Sequence, residues 1–284
     1  MIASIEAIAS LILTYLTRSS SIAWYTSCMY IFWIAAVLMV AIGTYAVLVV
    51  RTLRHSIAIS KLLIEKGNPF EQHPQSPMQH ILVAGDSTAV GVGTSDNRNS
   101  IAGRIGTEYP ESDITNIAVS GARLADLEKR LDALHEQAAA KHDLVFLLIG
   151  ANDITHFTSC AAMRAQLTRI LAVAEQIGKQ TILLTAGDVG LSPAFKWPLS
   201  RIMTMRTLET RVIFTEEIAK RHHVRYVDLY HEAKDEIFNT DVERYYAPDH
   251  FHPSDDGYGI WYAKIKEVIG TITQYRSFIP SSPS

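Results

Sequence analysis

Residues 19–50 carry no charged side chain, and that run constrains the chain more than any other feature. Its core, residues 31–50, reads IFWIAAVLMVAIGTYAVLVV, with Thr44 as the one clearly polar side chain. About twenty consecutive apolar residues cross the hydrocarbon core of a bilayer as a helix. Only a helix lets a single segment satisfy its own backbone there. Trp24, Tyr25, Tyr30 and Trp33 gather toward one end, as interfacial aromatics do, and Arg51 and Arg54 close the other. We therefore expect a single-pass membrane anchor over residues 1–50, with the transmembrane helix at about residues 29–50. A cleaved signal peptide fits less well, because the basic leading region and a small-residue cleavage site are missing and the apolar run is too long. A buried core helix is the remaining alternative. Arg18 alone precedes the span, whereas Arg51, Arg54, Lys61 and Lys66 follow it. The positive-inside rule then puts the C-terminal part on the cytoplasmic side. Residues 7–17 are also apolar but too short to span; they fit an interfacial position, and insertion as a hairpin would change the topology.

The remainder of the 284 residues suffices for one ordinary domain. Formal net charge is −3, from 26 basic and 29 acidic side chains, so no broad basic field exists and nucleic acid is not an expected partner. Two cysteines, Cys28 and Cys160, exclude a disulfide framework and a four-cysteine zinc site. Residues 51–77 form a juxtamembrane connector: 51–66 has helical character, and 67–77 (GNPFEQHPQSP) reads as a linker. The globular domain is expected over residues 78–275, with a tail at 276–284.

Within that domain, short apolar runs at residues 80–84, 113–119, 144–149, 181–185 and 224–229 alternate with helical patterns at 123–140, 162–177, 203–221 and 255–269. Leu124, Leu127, Leu131 and Leu134 show the three-and-four spacing of one helix face. Strands alternating with helices predict an α/β fold with a parallel sheet covered on both faces. Such sheets bind ligands beyond the carboxyl ends of their strands.

Four loop motifs fall at those ends. Gly85-Asp86-Ser87 follows the first run and sets a hydroxyl on the rim; an ordinary helix cap reads the same way. Ser120-Gly121-Ala122 follows the second, where a glycine brings an N–H close to a ligand or simply makes a turn. Gly150-Ala151-Asn152-Asp153 follows the third, where the Asn152 amide suits a developing oxyanion or a turn. Asp249-His250-Phe251-His252 precedes the last helix. Acid and imidazole three residues apart can meet within one turn, leaving Nε2 of His252 to accept a serine proton. Surface histidines, or metal ligation by Asp249, His250 and His252, are the alternatives; no further ligand cluster supports a metal. Singly ambiguous, the four together supply nucleophile, base, orienting acid and oxyanion donors, the set acyl transfer needs.

In these blocks, with residues 116–121 (NIAVSG) as the second, the chain resembles the SGNH hydrolase superfamily, the GDSL esterases and lipases. The resemblance spans about residues 79–272. It implies a three-layer α/β/α sandwich with a five-stranded, flavodoxin-like parallel sheet, and Ser87, His252 and Asp249 as the catalytic triad. The N–H groups of Ser87 and Gly121 and the Asn152 side chain would form the oxyanion hole, with no metal or organic cofactor. Thr88 stands where many members carry leucine. A carboxylic ester, lipid-derived or short-chain, is the expected substrate, and Phe157, Phe195 and Trp197 are candidates to line its acyl pocket or else to pack their loops. A cell-envelope carbohydrate O-acetylesterase, or a tethered binding module without activity, remains open. The oligomeric state is not legible.

Overall fold

The computed structural model describes residues 2–137, 141–185, 187–231 and 235–272; the expected tail at 276–284 lies outside them. The chain divides into two compact units, Met1–Arg51 and Thr52–Ser284. Helix α1 spans Ile2–Lys66. Among the described residues it is the one helix long and apolar enough to cross a membrane, over Trp24–Lys66, and none of its most apolar window is buried.

The second unit is built on five parallel strands: β1 (Gln79–Gly85), β2 (Ser112–Asn116), β3 (His142–Leu148), β4 (Gly178–Leu184) and β5 (Val224–Val227), in the spatial order β2-β1-β3-β4-β5. Side chains alternate faces along a strand. Ile81 and Val83 join Leu144, Phe146, Leu148 and Ile182 in one buried cluster, together with Ile101 and Ile105 of α3 (Ile101–Glu108) and Tyr258 and Ile265 of α9 (Asp255–Ile269). Leu82 and Ala84 join Val145, Leu147 and Leu183 in the other. They pack against α4 (Leu124–Gln137), α6 (Cys160–Ile177) and α7 (Leu199–Ile218). Both faces are covered, which is why the inner strands β1, β3 and β4 read as continuous apolar runs, whereas the edge strands β2 and β5 mix polar and apolar residues. Short helices α2 (Ser87–Val90), α5 (Ala151–Thr155) and α8 (Val242–Tyr245) sit in the connections.

Several boundaries differ from the sequence reading, and three of them have a visible local cause. β2 stops at Asn116, short of residue 119. Ile117 and Val119 still donate to Val83 and Gly85 of β1, at 2.9 and 3.0 Å, but the Asn116 side chain captures the Ala118 N–H and turns the chain. β5 stops at Val227, where the Asp228 carboxylate accepts from the Tyr230 N–H. α7 starts four residues earlier than expected, directly after Pro198, a residue whose missing N–H costs nothing at a helix start. Of the helix expected at 123–140, the last three positions lie outside the described residues.

Residues 67–77 pack along the open edge of the sheet. Gln72 and Ile114 of β2 exchange backbone hydrogen bonds of 3.1 and 2.7 Å in an isolated antiparallel bridge. The Gln72 side-chain amide donates to the carbonyls of Tyr109, Pro110 and Ser112. This covers an edge strand that would otherwise present unpaired groups.

Candidate active site

The strand order reverses direction at β1, so the loops after β1 and its neighbours open a crevice at the carboxyl edge of the sheet. Gly85 ends β1 at φ +147°, and a Cβ there would stand 1.9 Å from the Leu148 carbonyl oxygen. That close approach aims the next residues over the rim. Asp86 caps α2, its Oδ1 accepting from the backbone N–H and the hydroxyl of Thr88 at 2.8 and 2.7 Å. Threonine in place of leucine at position 88 therefore supplies a second donor to a fully buried carboxyl. Burial pushes Asp86 up to about 6 in spite of those two bonds. Ser87 is buried at the first position of α2, where a backbone N–H has no partner within its own helix.

The loop before α9 brings the second half of the site. His252 Nε2 lies 2.8 Å from Ser87 Oγ, and its Nδ1 lies 2.6 Å from Asp249 Oδ2. Ser87, His252 and Asp249 are 6%, 3% and 1% exposed, so the three groups meet away from bulk water. The second oxygen of Asp249 accepts the N–H groups of Phe251 and His252, both at 3.0 Å. Burial raises the Asp249 carboxyl, but the hydrogen bond and charge of His252, the Ser60 hydroxyl and the Phe251 N–H outweigh it and hold the group below its ordinary value. His250 points elsewhere. It adopts φ +56°, its carbonyl accepts from Ser192 Oγ and Ala194 N, and its ring stands 3.5 Å from Glu243. Among the described residues, no group of three His, Cys, Asp or Glu is placed to hold a metal ion.

The two remaining motifs meet each other. Gly121 follows β2 at φ +82°, inside a turn closed by the Ala122 N–H on Val119 O. The Asn152 side-chain amide, at the start of α5, donates to the Ala122 carbonyl at 3.1 Å, which fixes its plane and leaves a second amide hydrogen. Asp153 is buried and accepts the N–H of Leu124 at 2.9 Å, joining the loop after β3 to the start of α4.

Beside Ser87 and His252 lies a largely apolar pocket walled by Leu229, Ile237, Phe238, Tyr246, Phe251 and Trp261. Its buried carboxyls, Asp188 and Glu236, are tied to the N–H groups of Gly190 and Phe238 as turn caps. The aromatics expected to line it do not do so. Phe157 and Trp197 are 56% and 64% exposed, and Phe195 packs edge-on behind Phe251 at 6.0 Å between centroids. The wall comes instead from residues after β5 and from α9, whose aromatics read in the sequence as ordinary amphipathic spacing. Asp86 is the helix cap that its motif also allowed, whereas Ser192 under His250, and Ser56 and Ser60 of α1 on Asp249, were not legible; no local pattern marks them.

This parallel sheet, its layers and its loop blocks are those of the SGNH hydrolase class. Residues 83–260 match the model of the GDSL-like Lipase/Acylhydrolase family, and the chain belongs to that family. Among solved structures it is similar to a member of the lipolytic protein G-D-S-L family from Veillonella parvula, with 18% identity, covering 66% of this chain and 97% of that one at a TM-score of 0.53. It is similar also to TesA, with 19% identity, 68% and 99% coverage and a TM-score of 0.51. A third is the psychrotrophic esterase EstA from Pseudoalteromonas sp., with 18% identity, 69% and 99% coverage and a TM-score of 0.50. At such identities the likeness is one of fold. No match was found among curated proteins.

Proposed function

We propose that this chain is a membrane-anchored serine esterase that hydrolyses carboxylic esters through an acyl-serine intermediate. The observation that carries this reading is the buried relay from Ser87 Oγ through His252 to Asp249, with links of 2.8 and 2.6 Å. In the first half-reaction Ser87 Oγ bonds to the acyl carbon while His252 Nε2 takes the hydroxyl proton. The N–H groups of Ser87 and Gly121 and the second amide hydrogen of Asn152 receive the oxyanion. Collapse breaks the bond to the alcohol oxygen, which leaves with the proton from His252. Water then repeats the sequence on the acyl-serine, releasing the acid and restoring Ser87. Asp249, kept as a carboxylate, orients the imidazole and stabilises its charged form.

The apolar wall beside Ser87 favours an acyl chain over a sugar as the group held there. A fatty-acyl or lysophospholipid-type ester fits that wall and the apolar helix α1, which we read as a membrane anchor with the domain on the cytoplasmic side. The test is p-nitrophenyl ester hydrolysis by the full chain in detergent, with labelling by a fluorophosphonate. Ser87→Ala should lose both nearly completely and keep its circular dichroism and melting temperature; undiminished hydrolysis by that variant refutes the reading. A chain-length series should favour acyl groups longer than acetyl, whereas a strict acetate preference would turn the assignment toward an O-acetylesterase.

A further inference from the structure

Asp249 is held from two directions. Three of the four hydrogen bonds on its carboxylate come from its own loop: the Phe251 and His252 N–H groups on Oδ1, and His252 Nδ1 on Oδ2. The fourth comes from Ser60 of α1, whose hydroxyl donates to Oδ2 at 2.6 Å across 189 positions of sequence. One helical turn earlier, on the same face, the buried hydroxyl of Ser56 donates to the backbone carbonyl of Asp249 at 2.5 Å.

Serine and threonine hydroxyls inside helices ordinarily bond back to the carbonyl four residues earlier. Thr14 and Thr44 of the same helix do this, on Ser10 and Val40 at 2.7 and 2.8 Å. Ser56 and Ser60 instead turn outward, both to the same residue. Between them they grip its main chain and its side chain. Leu63, on the next turn, packs against the core cluster that contains Tyr258.

We propose that Ser60 is a positioning residue of the triad: its hydroxyl fixes Oδ2 of Asp249 against His252, and the end of α1 is a built-in part of the active centre. The inference rests on the triad reading above. Without this hydroxyl, Oδ2 keeps a single donor, and the carboxylate is held against rotation by the donors of its own loop alone. His252 then spends less time with Nε2 directed at Ser87. Substrate binding is untouched, because Ser60 does not line the pocket. The loss therefore falls on kcat rather than KM.

The experiment compares Ser60→Ala, Ser60→Thr and Ser87→Ala in the full chain in detergent, using p-nitrophenyl acetate hydrolysis and the rate of fluorophosphonate labelling. Removing one hydrogen bond to a charged group predicts a fall of about tenfold in kcat and in labelling rate for Ser60→Ala. KM should stay within about twofold, and Ser60→Thr, which keeps the hydroxyl, should recover the parental kcat. If Ser60→Ala does not fold, Ser60→Cys carries the test: a weak S–H donor of similar size should lower kcat while the melting temperature holds. Parental kcat in the folded Ala or Cys variant, or a Thr variant no better than Ala, overturns the positioning role. Should that happen while Ser87→Ala is dead, the triad reading stands and only this inference fails. Activity persisting in Ser87→Ala brings down both.

Discussion

At the scale of single residues, the site separates charge from neutrality among carboxyls that share one sheet edge. Asp249 has enough donors to stay ionised, whereas Asp86 is buried with two donors and titrates near 6. A buried acid whose folded value lies above its unfolded one favours the folded state below the unfolded value, and that contribution is lost as pH rises through the folded value. Asp86→Asn keeps a carbonyl oxygen for Thr88 and removes the charge. Its melting temperature should therefore gain on the parent as pH rises from about 4 to about 7; a pH-independent difference between the two would contradict the assignment of Asp86. On the proposed mechanism Asn152 is the complementary case, a neutral amide whose worth would lie in the transition state. Asn152→Ala should cost on the order of 10²–10³ in kcat with little change in melting temperature, as for the loss of one oxyanion donor. Steady-state kinetics beside a thermal melt separates this from a folding defect.

At the scale of elements, what matters is how closely loops from distant strands approach one another. Gly93, in the loop after α2, has φ +102°, and a Cβ there would stand 2.4 Å from the Pro253 carbonyl and 3.1 Å from the His252 Cβ. The Tyr258 hydroxyl, fully buried on α9, donates to the Val92 carbonyl at 2.9 Å and holds that loop in place. Gly93→Ala should push the imidazole loop away from Ser87. We expect it to lower stability by about 1–3 kcal/mol through backbone strain and to reduce kcat further than the melt alone explains. The measurement is kcat per folded molecule. The same logic explains why the aromatics singled out from the sequence miss the pocket. Proximity in sequence to Asn152 and to the end of β4 did not make Phe157 and Trp197 its wall; α9 and the chain after β5 fold back over the site and do so instead.

At the scale of the whole molecule, the chain joins a helix with the length and composition of a membrane span to a parallel-sheet unit of the GDSL-like family. On the membrane reading, the full chain should sediment with membranes, resist alkaline carbonate and be released by detergent. A reporter fused after Ser284 should read out on the cytoplasmic side. Release by carbonate would point to a peripheral or processed helix.

The loop blocks, the order of strands and helices along the chain and the apolar helix were legible in the sequence, because each is written in neighbouring residues. Turn glycines, a strand's alternation and an acid three positions from a histidine all act over a few residues. That is why Ser87, His252 and Asp249 were readable as candidates before any distance was known. What the tertiary structure alone decided are the relations between segments far apart in the chain: which face covers the pocket, that Asn152 braces against Ala122, and that Ser56 and Ser60 reach the acid of a loop nearly two hundred residues later. Those contacts have no local signature. A serine that grips another element and one that bonds back into its own helix look alike in sequence, and only the packing of the folded chain tells them apart.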